Sequence, residues 1–370
     1  METQLSLIED WHRRYAFRTS INLSCSGVQP YTFREVCRLL SISFSEIGQV
    51  LLRDGPSYGW PPLRKAISER FGKRNGDADS VLVTHGSSEA LFLVMRSLLQ
   101  EHDEVVTVFP SYLPHYSIPK YCGCRVKKWE LLPEEGFRPN INNLRATLTR
   151  KTKMVICSFP HNPTGVSITE PQLNALVEAV ADVGAYLLWD DSFRMLPIDT
   201  PPLPDPGQWY DRTVSFGTLS KAYGLDGLRI GWCQTTPDIL QRCVMLRDYI
   251  TLNLSPLTEF IACQAVRKPE VLIEPRLKQA KRNLQYLASW IDQNEKKLSM
   301  VPPQGGVSAF CRIPEINTDS LCKDLAEEDG VFLLPGTCFD CPEYVRLGFG
   351  GVPQEFRKGL KLLSRRLKQL

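Results

Sequence analysis

Ser215-Phe-Gly-Thr-Leu-Ser-Lys-Ala-Tyr-Gly-Leu-Asp-Gly-Leu-Arg-Ile-Gly231 places one lysine, Lys221, behind small and hydroxylated residues and ahead of two glycines and an arginine. A lysine in a tight, partly dry turn loses its charge more readily than one in water, because desolvation disfavours the ammonium form. The neutral amine can attack an aldehyde and become an imine. The stretch therefore reads as a Schiff-base lysine, with Thr218, Ser220 and Arg229 as ligands for an anionic cofactor. A lone Ser-Lys in a loop is ordinarily a solvated surface feature, so its partners must come from the rest of the chain.

Working outward, short apolar runs alternate with longer helical ones. Val81–Thr84, Glu104–Phe109, Arg125–Leu132, Met154–Phe159, Ala185–Trp189, Thr213–Phe216 and Gly227–Gly231 read as strands. Pro62–Phe71, Ser88–Leu99 and Glu170–Val183 carry helical spacing. This alternation predicts an α/β fold with a mostly parallel central sheet. The last third differs: a long charged helix near Glu274–Asn294, strands at Gly306–Arg312, Val331–Pro335 and Val345–Phe349, then a terminal helix. The expected organisation is an arm over residues 1–45 that packs on the small domain and the active site. A large domain over 46–255 and a smaller α+β C-terminal domain over 256–370 follow.

Composition narrows the class. The 370 residues are 43% hydrophobic and 23% charged, with a net charge of +3, ordinary for a globular protein. That charge argues for neither nucleic acid nor an acidic membrane as partner, and no run reaches membrane-span length. Twelve scattered cysteines suit reduced thiols and a cytoplasmic location rather than a disulfide frame. The close pairs Cys122/Cys124 and Cys338/Cys341 lack histidine or a second pair at zinc spacing, so no metal is expected.

Several expected strand ends carry polar groups, and open α/β sheets bind ligands beyond the carboxyl ends of their strands. His85-Gly-Ser-Ser-Glu-Ala90 opens a helix with Ser87, Ser88 and free backbone N–H groups, a good phosphate site. Pro110-Ser-Tyr112 offers an aromatic face, Pro160-His-Asn-Pro-Thr-Gly165 presents Asn162, and Asp190 closes the run Leu187-Leu-Trp-Asp190. Pyridoxal phosphate needs an imine-forming lysine, a phosphate cradle, an acid for the ring nitrogen and a stacking group. Lys221, the Ser87/Ser88/Arg229 set, Asp190 and Tyr112 supply them, leaving Asn162 for the ring oxygen.

These residues resemble a known family, the fold-type I pyridoxal-phosphate enzymes of the class I/II aminotransferase group, over nearly the whole chain. The matching pieces are Tyr58-Gly59, Gly86-Ser87-Ser88, Pro110-Ser-Tyr112, Asn162-Pro-Thr-Gly165, Asp190-x-x-Phe193, Thr218-x-x-Lys221, Gly227-Leu-Arg229-x-Gly231, Pro335-Gly336 and Arg346. The resemblance implies that Lys221 binds the cofactor and moves protons, and that Ser87, Ser88, Thr218 and Arg229 take the phosphate. It also implies that Arg346 holds the substrate α-carboxylate, with Gly27 and Asn162 beside the substrate. Tyr58 is expected to reach the phosphate of a partner subunit, so a homodimer with a shared active site is implied. Phe193 stands where the family usually has tyrosine, which puts ordinary transamination in doubt.

Longer strings, among them Ser26-Gly-Val28, Arg53-Asp-Gly-Pro-Ser57, Thr84-His-Gly-Ser-Ser-Glu-Ala-Leu91 and Phe159-Pro-His-Asn-Pro163, are similar to the capreomycidine synthase group. They are similar also to the cyclases that form L-enduracididine in guanitoxin biosynthesis. What this implies is a cyclodehydratase acting on a hydroxylated arginine, with the γ-hydroxy compound favoured. Loss of a γ-hydroxyl and guanidine addition at Cγ would close a five-membered ring; a β-hydroxyl would give a six-membered one. A guanidinium needs acidic acceptors, for which Glu9, then Asp10 and Asp191, are candidates. The alternatives are a conventional aminotransferase and a cofactor-binding regulatory module, although nearly the full length is used by the fold itself, leaving no added DNA-binding domain.

Overall fold

The apolar runs become strands buried on both faces. In Glu104–Phe109, Val105, Val106 and Val108 are all fully buried, the pattern of a parallel sheet covered on two sides. The structure, a computed structural model, describes residues 6–72, 77–198 and 200–369. In chain order its strands are β1 (Ile21–Asn22), β2 (Val81–His85), β3 (Glu104–Phe109), β4 (Arg125–Glu130), β5 (Thr152–Ser158), β6 (Tyr186–Asp190) and β7 (Thr213–Thr218). There follow β8 (Ile230–Gln234), β9 (Ser299–Met300), β10 (Ser308–Arg312), β11 (Val331–Phe332), β12 (Leu334–Pro335) and β13 (Tyr344–Gly348).

Seven of them form the central sheet in the order β2-β8-β7-β6-β5-β3-β4. All neighbours are parallel except β8, which runs antiparallel to both β2 and β7. Side-chain alternation along each strand feeds two separate cores. Val155 and Cys157 join Leu187 and Trp189 under the helix Glu170–Asp182. Met154 and Ile156 face the other way, with Val214 and Phe216, onto the helices Gly86–Leu98 and Pro237–Arg247. Because β8 alone is reversed, the carboxyl ends of β2, β3, β5, β6 and β7 all reach one edge.

One expected strand is displaced. Gly227–Gly231 is not extended: Asp226–Leu228 form a 3₁₀ turn, Arg229 has φ +54°, and β8 starts only at Ile230. A left-handed residue ends strand pairing, because its backbone leaves the extended region. Gly231 then lets β8 press on the Gly86 turn, since a Cβ there would lie 2.3 Å from the Ser87 nitrogen.

The C-terminal third builds a second, antiparallel sheet in the order β12-β13-β10-β9. The long helix Glu270–Asp292 and the terminal helix Pro353–Gln369 pack in the same core as this sheet. The N-terminal segment is tied to this part, since β1 pairs in parallel with β11. Its first helix, Leu7–Trp11, buries Ile8 in the core beneath β3 and β5. A helix over Phe33–Leu40 has no counterpart among the elements expected from the sequence. Thr32 and Glu35 cap it reciprocally, a capping box that satisfies two free N–H groups. No helix among the described residues is long and apolar enough to cross a membrane.

Candidate active site

A cavity of about 210 Å³ opens beyond the carboxyl edge of the central sheet. Its floor begins with Asp190, the last residue of β6 and only 7% exposed. The Asp190 Oδ1 accepts from the Ser192 N–H at 3.0 Å, and Oδ2 lies 3.1 Å from His115 Nε2. His115 is itself buried, with its Nδ1 3.2 Å from Ser111 Oγ, so Nε2 donates to the carboxylate. Burial alone would raise the Asp190 pKa, but the His115 and Ser192 contacts more than offset it and hold the pKa below its usual value. A buried anion is thus prepared for a positive group.

Thr218, Ser220 and Arg229 line the cavity together with Ser87 and Ser88, at the N-terminus of the helix Gly86–Leu98. Hydroxyls, free N–H groups and a guanidinium make an anion cradle. The absence of side chains keeps it open, since a Cβ on Gly86 would sit 2.7 Å from Arg229 Nη2. Arg229 also donates to Ser220 Oγ at 3.4 Å and to the Asp226 carbonyl at 2.9 Å.

Lys221 reaches into the same space, where its Nζ donates to Ser26 Oγ at 2.9 Å and lies 5.9 Å from the centre of the Phe193 ring. Desolvation lowers its pKa, Cys25 opposes this, and the Arg346 cation lowers it again. On the opposite side Arg346, only 3% exposed, donates to Asn162 Oδ1 at 3.2 Å and to the Ser24 carbonyl at 2.8 Å. Among the described residues its Nε has no partner and no carboxylate pairs with it. A buried cation left this way is costly unless an anion arrives.

Of the residues expected from the sequence, Lys221, Ser87, Ser88, Tyr112, Asn162, Asp190, Thr218, Arg229, Arg346 and Glu9 line one cavity. Two do not. Gly27 packs behind it, where a Cβ would meet the Ser220 carbonyl at 2.9 Å. Tyr58 stands outside under the Arg64 guanidinium, 5.4 Å from its ring centre. The acids separate as well: Asp10 is paired with Arg14 at 2.7 Å, and Asp191 with Arg194 at 3.2 Å. Neither lines the cavity, so both lose their candidacy as guanidinium acceptors. His115, Ser26 and His12 were missed. His115 sits four residues after Ser111 in the turn of a short helix, a spacing that sequence alone gives no reason to connect with Asp190.

The donor set fits pyridoxal phosphate: an anion cradle at one end, a buried ionised carboxylate, and an amine whose pKa burial lowers. The chain belongs to the class I and II aminotransferase family, whose profile matches residues 32–363, and it is a pyridoxal-phosphate-dependent enzyme of fold type I. Among its relatives it is similar to capreomycidine synthase of Streptomyces vinaceus, with 40% identity over 363 residues covering 97% of this chain and 93% of the relative. The structure of a PLP-dependent cyclase, OrfR, superposes with a TM-score of 0.95 at 38% identity, covering 100% of this chain and 98% of that one. Arginine–pyruvate transaminase AruH of Pseudomonas aeruginosa is 30% identical over 299 residues, 77% of this chain and 75% of the relative.

Proposed function

We propose that the protein is a cyclodehydratase that converts γ-hydroxy-L-arginine to L-enduracididine by loss of water and intramolecular guanidine addition. The observation that carries the cyclase reading is the end-to-end similarity to capreomycidine synthase. A cavity holding both a buried cation, Arg346, and an acid at its mouth, Glu9, supports it.

Bound pyridoxal phosphate supplies an electron-accepting ring conjugated with the substrate's α-nitrogen, which acidifies the carbons beyond it. Asp190 would hold a proton on the ring nitrogen, and His115 keeps that carboxylate ionised and aimed. Ser87, Ser88, Thr218 and Arg229 would hold the phosphate, Tyr112 would lie against the ring and Asn162 would donate its amide to the ring oxygen. Arg346 takes the α-carboxylate in the two-point manner that suits a guanidinium fork, while Glu9 receives the substrate guanidinium. Lys221 removes the Cα proton and then a Cβ proton, so that the γ-hydroxyl leaves as water. A guanidine nitrogen forms the new bond to Cγ and loses its proton, and Lys221 returns one proton to Cβ and one to Cα. The balance is loss of one water with every nitrogen retained.

A homodimer with shared sites belongs to this reading. Arg229 is exposed in the single chain, which leaves the phosphate end open for Tyr58 of a second copy. Leu51, Leu52, Met245, Tyr249, Ile250 and Leu252 are all more than half exposed, and the Asn253–Asp54 hydrogen bond of 3.4 Å joins the two segments that carry them. An apolar patch of this kind marks an interface. Twelve free cysteines fit a reducing, cytoplasmic setting.

The similarity to capreomycidine synthase also favours a second reading, in which a β-hydroxyl leaves and a six-membered ring closes. The test is incubation of the purified protein with β- and γ-hydroxyarginine, with and without a keto acid, and identification of products by mass and NMR. Loss of one water with nitrogen retained is the expected result, and ring size separates the two cyclase readings. Keto-acid-dependent loss of nitrogen makes the protein a transaminase and overturns both.

A further inference from the structure

We propose that Ser26 is a positioning residue that holds the Lys221 amine in register with Arg346, so that one amine serves two neighbouring carbons. The proposal rests on the cyclase reading, in which protons leave both Cα and Cβ. A transaminase needs its lysine at Cα and the adjoining cofactor carbon; a cyclase of this type needs the same amine to reach one carbon further along the substrate. That reach requires a defined resting place for Nζ once it is free. Phe193 offers Nζ only a ring face at 5.9 Å, whereas Ser26 Oγ accepts from it at 2.9 Å.

The segment that carries Ser26 is pinned at every side. Leu23 donates to the Phe332 carbonyl at 2.8 Å and accepts from the Gly348 N–H at 2.6 Å. The Ser24 N–H and hydroxyl both donate to Asn22 Oδ1, at 2.8 and 2.9 Å. Val28 donates to the Lys221 carbonyl at 3.0 Å, and Gln29 to the Gly350 carbonyl at 2.9 Å. Gly348 and Gly350 allow this approach, because a Cβ on either would lie 1.9 Å from the Cys25 oxygen or 2.4 Å from the Gly27 oxygen.

The same segment also holds the other end of the site. The Ser24 carbonyl accepts from Arg346 Nη2 at 2.8 Å, two residues from the hydroxyl that holds Lys221. Ser24 is fully buried and Ser26 is 7% exposed, so the segment fixes the spacing between the proposed carboxylate-binding cation and the proton-carrying amine. A hydroxyl that accepts from an amine favours its charged form, so Ser26 partly opposes the desolvation that lowers the Lys221 pKa.

Two measurements test this. In the cofactor-free protein, reductive methylation with ¹³C-formaldehyde lets NMR follow the titration of Lys221, assigned by its absence in Lys221→Arg. Ser26→Ala should lower the Lys221 midpoint by about one pH unit, the size of a hydrogen bond to a charged group, and Ser26→Thr should restore it. In the holoenzyme, L-arginine in D₂O reports exchange at each carbon without a leaving group. Ser26→Ala should slow Cα exchange about 10-fold and Cβ exchange about 100-fold, within the range of general acid–base effects. Ser26→Cys keeps the volume should Ser26→Ala fold poorly. An unchanged midpoint overturns the contact, and equal slowing at both carbons overturns the register role. If wild type instead transaminates hydroxyarginine, the cyclase reading and the two-carbon role both fall, while a shifted midpoint still establishes the contact.

Discussion

The two walls of the cavity are built by opposite means. The floor, from Asp190, Thr218, Lys221 and the Ser87–Ser88 turn, consists of strand ends and one helix start along one edge of a mostly parallel sheet. The lid, from Ile8, Glu9, His12 and Ser26, comes from short N-terminal elements held by distant partners, as β1 is held by β11. Regular structure therefore carries the groups suited to a shared cofactor. The parts proposed to receive the substrate's guanidine end sit where the chain is least regular. Loops and termini placed on a rigid scaffold are where specificity varies at least cost to the fold.

The largest expected effect tests the floor. Lys221→Ala should remove the visible absorbance of lysine-bound cofactor and reduce turnover by a factor of at least about 10⁴, since both the covalent link and the proton carrier are lost. Absorbance spectra and product assays on the purified variant check this. Turnover within about 10-fold of wild type would mean the cofactor chemistry lies elsewhere, and the contrast between floor and lid would collapse.

The same contrast explains what was legible in the sequence. Asp190, Thr218 and Ser87 were readable because strand periodicity locates the ends of strands, and parallel strands deliver those ends to one edge. The left-handed Arg229 was not, because Gly227-Leu-Arg-Ile-Gly231 has the composition of a strand and only the packing of Gly231 on Ser87 fixes the turn. His115 and Ser26 were hidden for another reason. Each acts across 75 and 195 residues of chain respectively, and such pairings leave no local pattern. Asp190 and Asp191 show the limit most clearly, since adjacent identical residues have opposite surroundings. The sheet and the polar ends of its strands could thus be argued from pattern, while the hydrogen bonds across the cavity could not.

A middle-sized effect tests the lid. Glu9 is exposed at the cavity mouth, so Glu9→Gln should raise KM for a guanidine substrate about 10-fold, as expected for losing one charge in a charge-assisted hydrogen bond. Affinity for norvaline, which lacks the guanidine, should change less than about 2-fold on the same grounds. Steady-state kinetics and competitive inhibition by norvaline measure the two. Equal losses for both ligands would show that the helix Leu7–Trp11 shapes the whole site rather than its guanidine end, and the division between walls would need redrawing.

The smallest effect concerns a residue beside the floor that faces away from it. Burial pushes the Asp191 pKa up to about 7, with Arg194 pulling it back and Asp205 adding to the rise. Its carboxyl therefore binds a proton in the folded state that the unfolded chain, with an ordinary pKa near 3.8, has already released. Between those values the folded form holds more protons, so this group's contribution to stability falls as pH rises. At pH 8 the carboxylate is charged in both states and the advantage has gone. Asp191→Asn keeps one of the two oxygens that accept from Trp189 and Arg194 and cannot ionise. Denaturant unfolding at pH 5 and pH 8 should show the wild type losing on the order of 2 kcal/mol more than the variant over that interval, with kcat for the hydroxyarginine substrate nearly unchanged. A matching pH dependence in both proteins would place the titration elsewhere, and a collapse of kcat would show that Asp191 works with Asp190 as part of the floor after all.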